Sequence, residues 1–231
     1  MKNRLTTYLV EFSNVKITRP ASDKIRILEI IAVVLTAMGK CICVDYLNLR
    51  LQFVVVTILA WSIYVIYRYK KDNLVLKDWG FRTDNLMSVI KLMLPFAMVS
   101  ILSFFTIGYF RGTLNLSWHI LPLLATYPVW GSIQQFLTIG LITGNLNSIK
   151  GLKLNKITVI VITALLFSVV HFPSLWLMTE TFILALFYGY IYLKAKNIYA
   201  LGLFHGWLGA LFYYTIVNQD PFADVFLKFL N

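Results

Sequence analysis

The chain has 231 residues, 59% of them hydrophobic and 13% charged, with a mean hydropathy of +0.74 and a formal net charge of +11. Soluble domains carry about 25% charged residues, so the composition excludes an ordinary soluble domain and points to a polytopic membrane protein. The length allows one compact membrane domain, 27–231, and leaves no room for a second.

Residues 1–26 are polar and basic, with no apolar core segment or small-residue cleavage site of a secretory signal. They are expected to form a cytoplasmic segment, with Leu5, Tyr8, Leu9 and Phe12 on one helical face against the membrane surface. The first span then acts as its own insertion signal.

A helix needs about 20 mainly apolar residues to cross the hydrocarbon. Seven stretches qualify in chain order: 27–44, 51–69, 86–108, 118–143, 157–177, 180–193 and 198–217. The expected fold is therefore all-α, with about seven transmembrane helices. Lys40 interrupts the first span and Lys91 the third, and the sixth is short. Cys41 and Cys43 point about 200° apart on a helix and read as small apolar fillers.

The loops test this list independently. Sixteen of the 21 Lys and Arg residues fall before span 1 or between spans 2 and 3, 4 and 5, and 6 and 7. Only Arg50, Arg111 and Lys228 fall on the other side. Lys and Arg collect on the cytoplasmic face, so the N-terminus is expected inside and the C-terminus outside, as in a bacterial-type plasma membrane. Most of the positive charge thus sits against anionic headgroups, and no nucleic-acid partner is needed to explain it.

Few polar groups lie within the spans. "PVWGSIQQFLTIG" places Gln134 and Gln135 side by side in span 4. An amide in hydrocarbon costs roughly 2–7 kcal/mol unless it finds hydrogen-bond partners. "FSVVH" puts Phe167 and His171 at i, i+4, with Pro173 just beyond. "HGWLG" puts His205 and Gly209 at i, i+4 in span 7, where Gly202, Gly206 and Gly209 are expected to permit close helix approach. Ionisable residues inside a membrane are functional candidates. Counted from the cytoplasmic ends, Gln134, His171 and His205 lie roughly 13, 21 and 10 Å deep, which would allow one buried site. His119, after Trp118 at a span end, reads as an interfacial residue. Glu180 reads as a helix-start acid near the outer face. Two histidines without a carboxylate or thiolate are a poor set for a catalytic zinc, so no metal or cofactor is expected.

The order of these motifs over residues 118–217 resembles the CAAX protease and bacteriocin-processing (CPBP, or Abi) family of intramembrane glutamic proteases. That family carries Glu-Glu-x-x-x-Arg, then Phe-x-x-x-His, then His-x-x-x-Asn on separate helices. The second motif stands here as Phe167-Ser-Val-Val-His171, and the third, in part, as His205-Gly-Trp-Leu-Gly209 after "FYGYIYLKAKNIYALGLFHG". The first aligns with Gln134-Gln135-Phe-Leu-Thr-Ile139. The resemblance implies a helical core, a substrate that is a membrane-embedded or prenylated protein or peptide, and a site at Gln134, Gln135, His171 and His205. It also implies that the first glutamate activates a water with help from the Phe-x-x-x-His histidine, and that the second histidine and the asparagine stabilise the oxyanion.

Four positions depart from the pattern: both glutamates are glutamine, the arginine is Ile139 and the asparagine is Gly209. A glutamine amide is a neutral donor and acceptor that cannot serve as a general base. Losing Glu, Glu and Arg together removes both signs of charge and leaves none unpaired. The chain is therefore expected to be a catalytically impaired endopeptidase-like protein, or a non-catalytic binding, regulatory or immunity protein on the same fold.

Overall fold

The computed structural model describes residues 21–227. The expected surface helix around Leu5 to Phe12, and Lys228 in the tail, lie outside the described residues. Those described are helical with turns, and no strand occurs among them.

The main helices follow the apolar stretches closely. They are α1 (Asp23–Lys40, continuing in wider turns over Cys41–Tyr46), α2 (Arg50–Lys71), α3 (Leu86–Arg111) and α4 (Ile120–Gln135). After α4 the chain winds on through Phe136–Thr143 and Gly144–Ser148. Then come α5 (Lys156–Val169), α6 (Leu175–Lys194) and α7 (Ile198–Phe212, extended by Tyr213–Val217). The extended α1, α2, α3, α6 and the extended α7 are each long and apolar enough to cross a membrane. The helix built from 118–143 is not among these five, because Thr126, Ser132 and the two glutamines dilute its apolar content.

Two boundaries differ from expectation. The fifth span ends at Val169 rather than 177, and the sixth starts at Leu175 rather than 180. Pro173 disfavours helical geometry in the residue before it, and the Ser174 hydroxyl accepts from Leu177 N to open the next helix. His171 therefore lies in the turn between α5 and α6, not inside a helix. Asn155 and Asn197 open α5 and α7 in the same way, their Oδ1 atoms accepting from Thr158 N and Ala200 N at 2.8 and 2.9 Å.

The described chain forms two compact units. One gathers the residues up to Arg82 with Leu137–Lys196; the other gathers Thr83–Phe136 with the residues from Asn197 onward.

In the first unit α5 and α6 form a helical hairpin. Gly189 lets Ile160 approach, since a Cβ there would meet the Ile160 side chain at 3.3 Å. The Tyr192 hydroxyl, fully buried, reaches the carbonyls of Trp79 and Gly140 at 3.1 and 3.4 Å. The faces of α2 are open, with no buried residue, as suits a helix set against hydrocarbon. Between α1 and α2 runs a buried polar network. Glu29 accepts from Arg68 through Oε1, from the Tyr64 hydroxyl at 2.5 Å and from Asn145 Nδ2 at 2.6 Å. Arg26 in turn donates to Asn145 Oδ1 at 3.2 Å.

In the second unit α7 crosses α4 at backbone contact. A Cβ on Gly206 would lie 2.5 Å from Tyr127 C, and one on Gly202 2.5 Å from Ser132 Cα. Gly131 supplies the facing gap, where a Cβ would meet Gly206 N at 3.0 Å. The expected glycine stripe is thus Gly202 and Gly206; Gly209 takes no part, since a Cβ there meets nothing within 4 Å. Asn197 Nδ2 donates to Asn85 Oδ1 at 2.6 Å and ties the start of α7 to the start of α3.

A clasp closes the far end of this unit, built on the carboxylate of Asp220. It accepts from the Tyr214 hydroxyl and His119 Nδ1, each at 2.6 Å, and from Ala223 N at 3.1 Å. Burial pushes the Asp220 carboxyl up, but the bonds from Tyr214, His119 and Ala223 N outweigh it and hold the pKa down to about 2. The ordinary value is 3.8. The folded form therefore holds its proton less tightly than the unfolded chain, and the clasp's contribution is complete above the ordinary value. It is expected to fade as the pH falls from about 4 toward 2. Acid unfolding of the wild type beside Asp220→Asn checks this: the gap in midpoint between them should shrink over that interval.

Candidate functional site

The α4–α7 crossing decides which polar groups meet. With Gly202 and Gly206 admitting the α4 backbone, Gln134 on α4 and His205 on α7 come together, Oε1 to Nε2 at 2.9 Å. An amide oxygen only accepts, so the imidazole donates and carries its proton on Nε2. Both side chains are half-buried. The close pair also answers why a span tolerates Gln134: its amide finds a partner on the neighbouring helix.

Gln135 behaves differently. It is fully buried, and neither its nitrogen nor its oxygen has a partner among the described residues. Leaving a buried amide unsatisfied costs about 1–3 kcal/mol. Gln135→Met keeps the volume and removes the orphaned groups. It is expected to raise stability by up to about that amount, read as a higher unfolding midpoint in detergent. A lower midpoint would mean that the amide is satisfied.

Ile139 is also fully buried, a position that now asks for an apolar residue rather than a charge. Gly209, one turn beyond His205, has open space where a side chain would project.

His171 belongs to the first unit. Its Nδ1 lies 2.8 Å from the Phe167 carbonyl, and the two rings meet edge to face with centroids 5.2 Å apart. The i, i+4 pairing expected from "FSVVH" is present, formed across the end of α5 rather than along a helix. A carbonyl only accepts, so Nδ1 carries the proton and Nε2 keeps its lone pair. Lys40 Nζ donates to the Val170 carbonyl at 3.3 Å beside this turn and pairs with Asp45 at 2.7 Å. Lys40 thus acts as a cation at a helix C-terminus, where the exposed carbonyls favour positive charge.

The other polar candidates are scattered. Glu180 is half-buried in the second turn of α6, and His119 belongs to the Asp220 clasp. Among the described residues no three His, Cys, Asp or Glu side chains are placed to hold a metal ion.

The Glu29 network escaped the sequence reading. An acidic residue near the start of the first apolar stretch and an arginine at the end of the second were the available signal. A charge in such a place calls for a partner of opposite sign.

Residues 115–211 match the family model described as Type II CAAX prenyl endopeptidase Rce1-like. The match covers Gln134, Gln135, Ile139, His171, His205 and Gly209. No curated protein and no solved structure matches the chain. With five long apolar helices among its described residues, the chain is an integral membrane protein, and its segment 115–211 is similar to that CAAX endopeptidase family.

Proposed function

We propose that this CAAX protease-like membrane protein no longer runs the glutamate mechanism. In this reading it engages a membrane-embedded or prenylated protein segment without efficient hydrolysis. The observation that carries the reading is the Gln134–His205 pair. At the position where the family resemblance implies a base, a neutral amide accepts a proton donor and has no basicity to offer. Gln135, Ile139 and Gly209 are consistent with it, being two buried neutral side chains and an absent one. Losing one electrostatic partner commonly costs about 10²–10³ in rate, and here four positions have changed. The arrangement of basic residues supports a cytoplasmic N-terminus and an outward C-terminus in a bacterial-type plasma membrane.

A second reading is favoured by one feature. His171 is held by Phe167 as the Nδ1–H tautomer, so Nε2 is able to take a proton. Burial lowers its pKa from the ordinary value of about 6.5, which favours the neutral form that can accept a proton. His171 would then replace the lost glutamate.

The test uses purified wild type and His171→Ala in lipid, each incubated with a mixed set of transmembrane and prenylated peptides. Products are read by mass spectrometry. The proposal expects no cleavage by either protein. Cleavage by the wild type that His171→Ala abolishes would replace it with the His171 reading.

A further inference from the structure

Outside the family-like segment, α1 and α2 line a half-open cavity of about 530 Å³. This is within the range of small-molecule sites, roughly 300–1,000 Å³. Its walls are apolar, formed by Ile25, Leu28 and Ala32 on α1 and Ala60 and Trp61 on α2. At the deep end the Trp61 indole N–H is satisfied by the Thr36 hydroxyl at 3.2 Å, so that end offers no unmet polar group. From Trp61 to Lys71 the helix rises about 15 Å, enough for a good part of an acyl chain.

The other end is cationic, and its two cations differ. Arg68 is committed: it donates to Glu29 and to the Tyr64 hydroxyl, and it lies over the Trp79 ring at 5.4 Å. Lys71, one turn farther out, lies over the Tyr67 ring at 4.5 Å and has no carboxylate partner among the described residues. Lys71 is exposed, and Lys70 beside it is too. A site with a largely apolar trough and, at its mouth, a cation that no carboxylate pairs among the described residues matches a molecule with a hydrocarbon chain and a single anionic head.

We propose that the α1–α2 cavity is a binding site for an anionic phospholipid, its chain lying along Ala32, Ala60 and Trp61 and its phosphate at Lys71. The Glu29–Arg68 pair forms the neutral floor between chain and head. It holds the two helices apart by a fixed spacing and keeps Arg68 from competing for the phosphate.

The test is native mass spectrometry of the full chain released from detergent with phosphatidylglycerol, phosphatidylcholine or inorganic phosphate. A basic residue near an anionic surface contributes roughly a fivefold change in binding. Wild type should retain phosphatidylglycerol at least about fivefold better than phosphatidylcholine, and inorganic phosphate should not displace it. Lys71→Gln should remove that preference, and Ala60→Trp, which fills the trough, should lose both lipids. Lys71→Gln changes an exposed residue and carries the test alone if Ala60→Trp does not fold. Equal retention of the two lipids by wild type, or an unchanged preference in Lys71→Gln, would overturn the proposal. Displacement by inorganic phosphate would point to a free-anion site instead. A dimer that Ala60→Trp dissolves would make the occupant a second copy of the chain.

Discussion

Glu29→Ala is expected to destabilise the protein by about 3–5 kcal/mol, the usual cost of removing one partner from a buried ion pair. Glu29 is 3% exposed, and three donors converge on its carboxylate, from Arg68, Tyr64 and Asn145. Removing the carboxylate strands a guanidinium whose side chain is only 11% exposed. It also removes one of the two bonds from α1 to Asn145, leaving only the Arg26 one, and with it the carboxylate that α1, α2 and the Gly144–Ser148 turn share. The cost comes mainly from the charge left behind. Glu29→Leu combined with Arg68→Met, which removes both charges, should therefore recover most of the stability. Denaturant or thermal unfolding of the single and double variants in one detergent measures this. A double variant as unstable as Glu29→Ala would show that packing, not charge, sets the loss.

Gly206→Ala should have the second large effect, and it should reach the polar pair. The added methyl would sit 2.5 Å from Tyr127 C, a backbone atom that no side-chain rotation can move aside. The α4–α7 crossing must open. Overpacking of this kind costs about 1–3 kcal/mol. As the helices separate, Gln134 and His205 lose their 2.9 Å bond. Gly209→Ala, on the same helix but facing open space, should be neutral or gain about 0.5–1 kcal/mol from the lower entropy of alanine. Unfolding midpoints separate the two variants. Nitrogen-15 spectra of the histidines report the pair, with His205 losing its fixed Nε2–H form in Gly206→Ala and keeping it in Gly209→Ala.

Much of the helical frame was legible in the sequence because a membrane makes hydrophobic length a direct signal. The stretch 198–217 reappears as Ile198–Val217, and 51–69 lies inside Arg50–Lys71. The pairing of α4 with α7 was half legible. Gly202 and Gly206, spaced i, i+4, announce a close crossing, but which helix they meet depends on Gly131 and Tyr127, far away in the chain. Gly209 continues the same pattern and faces open space, since periodicity gives a face and not its neighbour. His171 was placed in a span because hydropathy runs on through Pro173; backbone geometry ends the helix at Val169. The Glu29–Arg68 pair stayed hidden for a different reason. Its partners stand 39 residues apart, and only the packing of α1 on α2 brings them together.

The measurement closest to the central claim restores the missing charges. Gln134→Glu, Gln135→Glu, Ile139→Arg and Gly209→Asn are combined in one protein, purified in lipid and assayed beside the wild type on the same transmembrane and prenylated peptides. The acidic and basic changes go in together so that a cation accompanies the two carboxylates. Gly209→Asn enters open space. If neutralised glutamate positions are what silences this site, the restored protein cleaves and the wild type does not, with a rate gain of at least about 10²–10³. Equal cleavage by the two proteins, or cleavage by the wild type alone, would contradict the account and assign the chemistry to groups other than the glutamate positions.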